Sequence, residues 1–160
     1  MWQFLHFDNY WQEQTEKSVT DNVGWLDFTH MLTFAHAVRE LCGAQPDLWP
    51  QGLLQMACFI GRNATYTDGT QDVSGWSVEN PAAFFESELT GMLDHGQRDP
   101  LVAAHLLKTL MAARDEWLAD PEGAHIPLML AAVNRFLHSP LKRRHALRSA
   151  RQALDFVASE

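Results

Sequence analysis

From Trp25 to Cys42 the apolar residues fall on every face of a helix, and two histidines sit among them. Advancing about 100° per residue from Trp25 puts His30 among Phe34, Ala37 and Leu41. His36 lands on another facet, between Trp25 and Thr29 and near Glu40. A helix that is apolar all round belongs inside a core, and Gly43 offers its C-cap. A bare polar group buried there costs roughly 1–3 kcal/mol. These imidazoles must therefore be hydrogen-bonded, liganded or held neutral.

Pro50 opens a second apolar helix that reaches about Ile60; Leu53, Leu54, Met56, Ala57, Cys58, Phe59 and Ile60 leave it little room for a wet face. Residues 61–77 turn polar and read as a long loop, a length that often carries function. Asn80-Pro81, Asp99-Pro100 and Ser139-Pro140 are three cap-plus-proline helix starts. Their helices run to about Asp94, to about Leu118 and to the end of the chain, and a further helix spans about Pro127 to His138. Met1–Lys17 mixes aromatic and polar residues without a clean period. It reads as a docking arm or short helix whose Trp2, Phe4, Phe7 and Trp11 pack onto the body. With no period-2 stretch and no repeat, the expected class is all-α: one compact domain over residues 1–160, of about six helices.

A chain of 160 residues, 46% hydrophobic and 20% charged, is long and apolar enough to bury a core, which argues against disorder. Six Trp and nine Phe against two Tyr give it flat, bulky groups suited to small-molecule pockets and to helix packing alike. A formal charge of −8 repels nucleic acid and anionic membrane, so neither is an expected partner. The local exception, Lys142, Arg143, Arg144, Arg148 and Arg151, reads as a solvated basic face. Cys42 and Cys58 have no metal-site spacing. Neither a signal-type segment nor a membrane-spanning run is apparent, and the expected compartment is the cytoplasm.

The helix after Asp99 carries the second candidate wall. Val102, Leu106, Leu110, Ala113 and Trp117 form its core seam, and a separate stripe holds His105, Thr109, Ala112 and Glu116. Lys108 lies one helical step from His105, a pairing able to hold an anionic or carbonyl substrate or to act as an acid/base couple. The plainer alternative has His105 bonded to a nearby carbonyl or to Glu116, with Lys108 solvated. The expected catalytic residues are His30, His105 and Lys108, and the expected substrate contacts are His36, Thr33, Thr109 and Glu116. None of the expected helices carries the Glu-x-x-His of bundle metal sites, and His-x-x-x-His is absent, so no metal is expected and no cofactor is assigned. Cys42 lies at a helix C-terminus, where its thiolate gains nothing. His95, His138 and His145 read as surface or capping residues.

Three segments together carry a resemblance: DNVGWLDFTHMLTFAHAVREL (Asp21–Leu41), DPLVAAHLLKTLMAA (Asp99–Ala113) and SPLKRRHALRSARQALDFV (Ser139–Val157). They resemble the C-terminal part of the helical domain of questin-oxidase-like proteins, including bacterial versions fused to a Rieske iron–sulfur domain. The resemblance implies an all-helical fold and oxygen insertion next to a ketone of a polyketide-derived aromatic, with His30, His105 and Lys108 as the positions that match. Paired Cys-x-His and Cys-x-x-His ligands are absent from these 160 residues, so any cluster resides elsewhere and a separate redox protein is the implied partner.

Two functions are therefore in view. One is an oxidoreductase-related domain binding an apolar aromatic or carbonyl compound in a histidine-lined pocket. The other is a non-catalytic helical module for interaction or dimerisation, consistent with a homodimer or other homo-oligomer. A cavity bridged by His30 and His105 favours the first, and separately packed histidines favour the second.

Overall fold

The computed structural model describes residues 1–13, 23–97, 99–139 and 145–158, and every regular element among them is helical. Two short helices, α1 (Trp2–Leu5) and α2 (Asn9–Glu13), precede six long ones. These are α3 (Trp25–Ala44), α4 (Trp49–Asn63), α5 (Pro81–Gly91), α6 (Pro100–Ala119), α7 (Ile126–His138) and α8 (His145–Ala158). The all-α class expected from the sequence holds. No helix among the described residues is long and apolar enough to cross a membrane.

Two of the proline starts form as their chemistry dictates. The Asn80 side chain accepts from the Ala83 N–H at 3.1 Å and opens α5; Asp99 accepts from the Leu101 N–H at 2.9 Å and opens α6. The third start, at Ser139-Pro140, falls partly outside the described residues, as do Lys142–Arg144 of the basic run. At the head of α3 the Gly24 N–H donates to Asp27 (2.9 Å) and the Trp25 N–H to Gln12 (3.0 Å). Gly43 does not close α3. It stays helical, and the cap is Gln45, whose N–H donates to the Leu41 carbonyl. Pro46 explains the shift, because a residue before proline is driven out of the helical region.

A 3-10 turn at Pro46–Leu48 folds α4 back along α3. The helices approach closely at Gly52, where an added Cβ would stand 2.6 Å from Val38 Cγ1. α6 packs on another side of α3 and runs in the same sense, since His30 meets His105 and, further along both helices, His36 meets Glu116. α7 completes the core with Ile126, Met129, Leu130, Val133 and Phe136.

The N-terminal segment is core rather than appendage. Phe4 and Phe7 are fully buried beside Trp25, Phe28 and Phe136, with Phe7 4.5 Å from Phe28 and 4.8 Å from Trp25 between ring centres. Trp2 is about half exposed, and Trp11 packs against the edge of the core. Residues 14–17 of the expected arm lie outside the described residues. Arg135, itself buried, donates to the Leu5 carbonyl and to Gln71 (2.6 Å) and stands over the Trp25 ring at 5.2 Å. It thereby ties α1, α3, α7 and the segment after α4 together.

Two expectations need correction. The polar stretch at 61–77 is neither so long nor so open a loop: α4 continues to Asn63, and 3-10 turns follow at Ala64–Tyr66 and Ser74–Trp76. Its polar residues satisfy local backbone, Asp68 accepting from the Thr70 N–H and Asp72 from the Ser74 N–H. Its backbone also pairs with the N-terminal segment, Asp8 N–H to Tyr66 O and Asp68 N–H to His6 O. The second correction concerns α4, which does have a face turned to solvent. Gly52, Met56, Phe59 and Asn63 turn inward, while Leu53 (58% exposed), Leu54 (65%) and Ile60 (50%) do not.

Candidate functional site

α3 and α6 bring His30 and His105 together edge to face, with ring centres 5.9 Å apart. His30 also stacks on Phe59 of α4 at 5.8 Å, and Phe34 packs on the Phe59 ring at 5.2 Å. Three helices thus fix one imidazole. His105 Nδ1 lies 2.7 Å from the Leu101 carbonyl. A carbonyl only accepts, so Nδ1 is the donor of this bond. The bond to a nearby carbonyl anticipated for His105 is therefore present. Lys108 is exposed, without a carboxylate partner among the described residues, and close enough to act on His30. Burial lowers the His30 pKa first, and the charges of Lys108 and His105 lower it further; Asp27, by its charge and its backbone carbonyl, works the other way. The result is an imidazole held neutral beside an ammonium group at a half-exposed edge.

The other predicted residues go elsewhere. Thr33 is buried and donates its hydroxyl to the Thr29 carbonyl at 3.1 Å, and Thr109 is fully buried in the core. His36 and Glu116 form a second cluster: His36 Nδ1 donates to Glu116 at 2.7 Å, and Arg39 Nε reaches both Glu116 oxygens at 2.9 and 3.0 Å. Asp115 stands 3.8 Å from His36 Nε2, and Arg39 Nη2 lies 2.9 Å from Glu40. Burial works against the Glu116 charge, but the hydrogen bonds from His36 and Arg39 outweigh it and hold the carboxyl below its ordinary range. This cluster borders a cavity of about 160 Å³. A second cavity, of about 260 Å³, is a groove between α3 and α4 lined by uncharged residues, among them Phe34, Val38, Leu41 and Cys42. His30, His105 and Lys108 line neither, so the expected pocket bridged by His30 and His105 is not one of these two cavities, and the pair meets at an open edge instead.

Sequence reasoning missed Arg39 and Asp115, whose roles depend on which helix lies opposite. A Glu-x-x-His spacing does occur at Glu122 and His125, but in the turn before α7 with both residues exposed. Among the described residues no group of three metal-ligating side chains gathers. The site therefore offers neutral imidazole, ammonium, and an ionised carboxylate in separate places on one helix seam. Compared with protein-family models, with curated proteins and with solved structures, the chain matches none.

Proposed function

We propose that this chain binds a carbonyl-bearing aromatic or apolar compound over His30, His105 and Lys108 and moves a proton on it. It would serve as the helical part of an oxidoreductase-type reaction, with any electrons supplied by a separate redox protein. One observation carries this reading: helices 75 residues apart deliver two imidazoles and an ammonium group to one accessible edge, and Phe59 supplies a flat apolar wall. The Lys108 ammonium donates to the carbonyl oxygen. Neutral His30 takes a proton from the carbon next to that carbonyl, and Lys108 stabilises the enolate oxygen that results. His105, fixed by Leu101, orients His30 and accepts from a hydroxyl of the ligand.

The test is exchange of the methyl protons of acetophenone into D2O, followed by NMR with the intact chain. Exchange above the buffer rate, lost in His30→Gln and in Lys108→Met while both keep their melting temperature, is the expected result. Wild-type exchange no faster than buffer overturns the reading.

The second reading, an interaction or dimerisation module, is favoured by α4. Its exposed Trp49, Leu53, Ala57 and Ile60 recur on one helical stripe beside Leu54, an apolar face of the kind that marks association. Sizing chromatography with light scattering tests it: a dimer that Leu53→Glu converts to monomer supports self-association, and a monomeric wild type removes it.

A further inference from the structure

The groove between α3 and α4 encloses about 260 Å³, and no charged side chain lines it. Along α3 its lining starts at Phe34 and ends at Cys42. Val38 and the free Cys42 thiol are buried at its base. Gly52 of α4 keeps that base open: a Cβ there would stand 2.6 Å from Val38 Cγ1 and 3.4 Å from Cys42 Sγ. Gln51 and Gln55, both exposed, supply the only amide side chains of the lining.

This lining selects against charge. An ion entering the groove gives up hydration and finds no counter-charge, whereas a neutral apolar guest loses nothing of the kind. Size narrows the guest further. At about 260 Å³ the groove is about 1.7 times a cavity of about 150 Å³ that holds benzene, as ten ring carbons are to six. A helix of a second chain, about 10–12 Å across, is too thick for such a space. The walls also favour a flat guest. Phe34 packs on Phe59 at 5.2 Å and Phe59 stacks on His30 at 5.8 Å, so a ring against Phe34 lengthens an existing row of rings. The polarizable sulfur of Cys42 is a further favourable contact for an aromatic ring.

We propose that the α3–α4 groove binds an uncharged two-ring aromatic compound, its rings between Phe34 and Cys42 and any polar substituent towards Gln51 and Gln55. The groove is separate from the edge shared by His30, His105 and Lys108, and the proposal does not depend on what that edge does.

2-Naphthol, 2-naphthoate and phenol are titrated separately into the full chain at neutral pH while the Leu and Val methyl signals are followed by NMR. 2-Naphthol is expected to move the Val38 and Leu41 signals saturably and to leave those of Leu53 and Leu54, exposed on the outer side of α4, in place. It should bind at least tenfold more tightly than 2-naphthoate, which differs in charge, and than phenol, which has one ring fewer. Ala37→Phe, at an exposed position of the lining, is expected to abolish the response at an unchanged melting temperature. If Ala37→Phe does not fold, the three-ligand ranking and the map of shifted methyls decide the matter alone. Absence of a saturable shift, shifts confined to Leu53 and Leu54, equal or tighter binding of 2-naphthoate or phenol, or retained binding in Ala37→Phe overturns the proposal. Movement of the Val38 signals on dilution of the ligand-free chain also overturns it, because a second copy then occupies the groove.

Discussion

His36 on α3 donates to Glu116 on α6 across 2.7 Å, and Arg39 one turn later grips the same carboxylate through both oxygens. Two helices that share no sequence neighbours are thus fastened by a bond whose strength depends on an ionised carboxylate with little access to water.

Replacing Glu116 with Gln should reduce stability by about 2 kcal/mol, the range for a hydrogen bond to a charged group. That corresponds to a melting temperature lower by about 4–8 °C for a chain of this size. Arg39→Ala should cost less, because Arg39 is substantially exposed and solvent screens its charge. Calorimetry on both single variants and the double variant checks this; equal losses in the two singles would contradict it.

The depressed pKa of His30 makes stability depend on pH with a definite sign. Unfolded, the imidazole titrates near its ordinary value; folded, it resists protonation until lower pH. The unfolded chain therefore binds more protons between those two values, and stability falls as pH drops from about 6.5 towards the folded pKa. Glu116 adds a second loss at lower pH, as its carboxyl protonates below the ordinary carboxylate range. Denaturant melts from pH 8 to about pH 2 should show two descents, the lower one starting only near the ordinary carboxylate range, and His30→Gln should remove the upper one alone.

Gly52 sets the distance between α3 and α4. A methyl group there would press on Val38, a β-branched side chain with little freedom to turn aside. Gly52→Ala is expected to destabilise by about 1–3 kcal/mol through overpacking, and Val38→Ala in the same chain should recover part of that loss. Chemical denaturation of the two single variants and the double variant reads the coupling directly.

Arg135→Met should be among the most damaging single changes outside the apolar core. It leaves the Leu5 carbonyl without its buried donor and strips Gln71 and Trp25 of their partner. A cost of about 3 kcal/mol follows from breaking a buried network. Lysine should not rescue it, because one ammonium cannot span the two acceptors as a planar guanidinium does. Hydrogen exchange at residues 4–8 should quicken more than exchange in α6.

Much of the architecture is written in local chemistry. Asn80-Pro81 and Asp99-Pro100 start helices because a capping oxygen and a fixed φ act within three residues. Periodicity likewise places His105 and Glu116 on one stripe of α6 and sets His30 apart from His36 on α3. It does not reveal that His36 and Glu116 meet, that Thr33 and Thr109 turn into the core, or that Arg39 is the partner that matters. Those facts depend on how α6 is rotated against α3, and only the packed pair determines that. α4 misleads for a related reason: its apolar residues exceed what α3 can cover, and a count of apolar residues does not say which of them find a neighbour. The N-terminal aromatics are irregular in sequence because Phe4 and Phe7 belong to a core assembled from distant elements.

Phe4 and Leu5 wait for α7. During synthesis at about 5–20 residues per second, Arg135 and Phe136 emerge on the order of ten seconds after the segment they secure. Until then Phe4 and Trp25 lack Phe136, which stands 5.9 Å from each ring in the folded chain, and that side of the aromatic cluster stays uncovered. Any helper that shields exposed aromatics would find its target near the start of this chain, and would be displaced only when the seventh helix arrives.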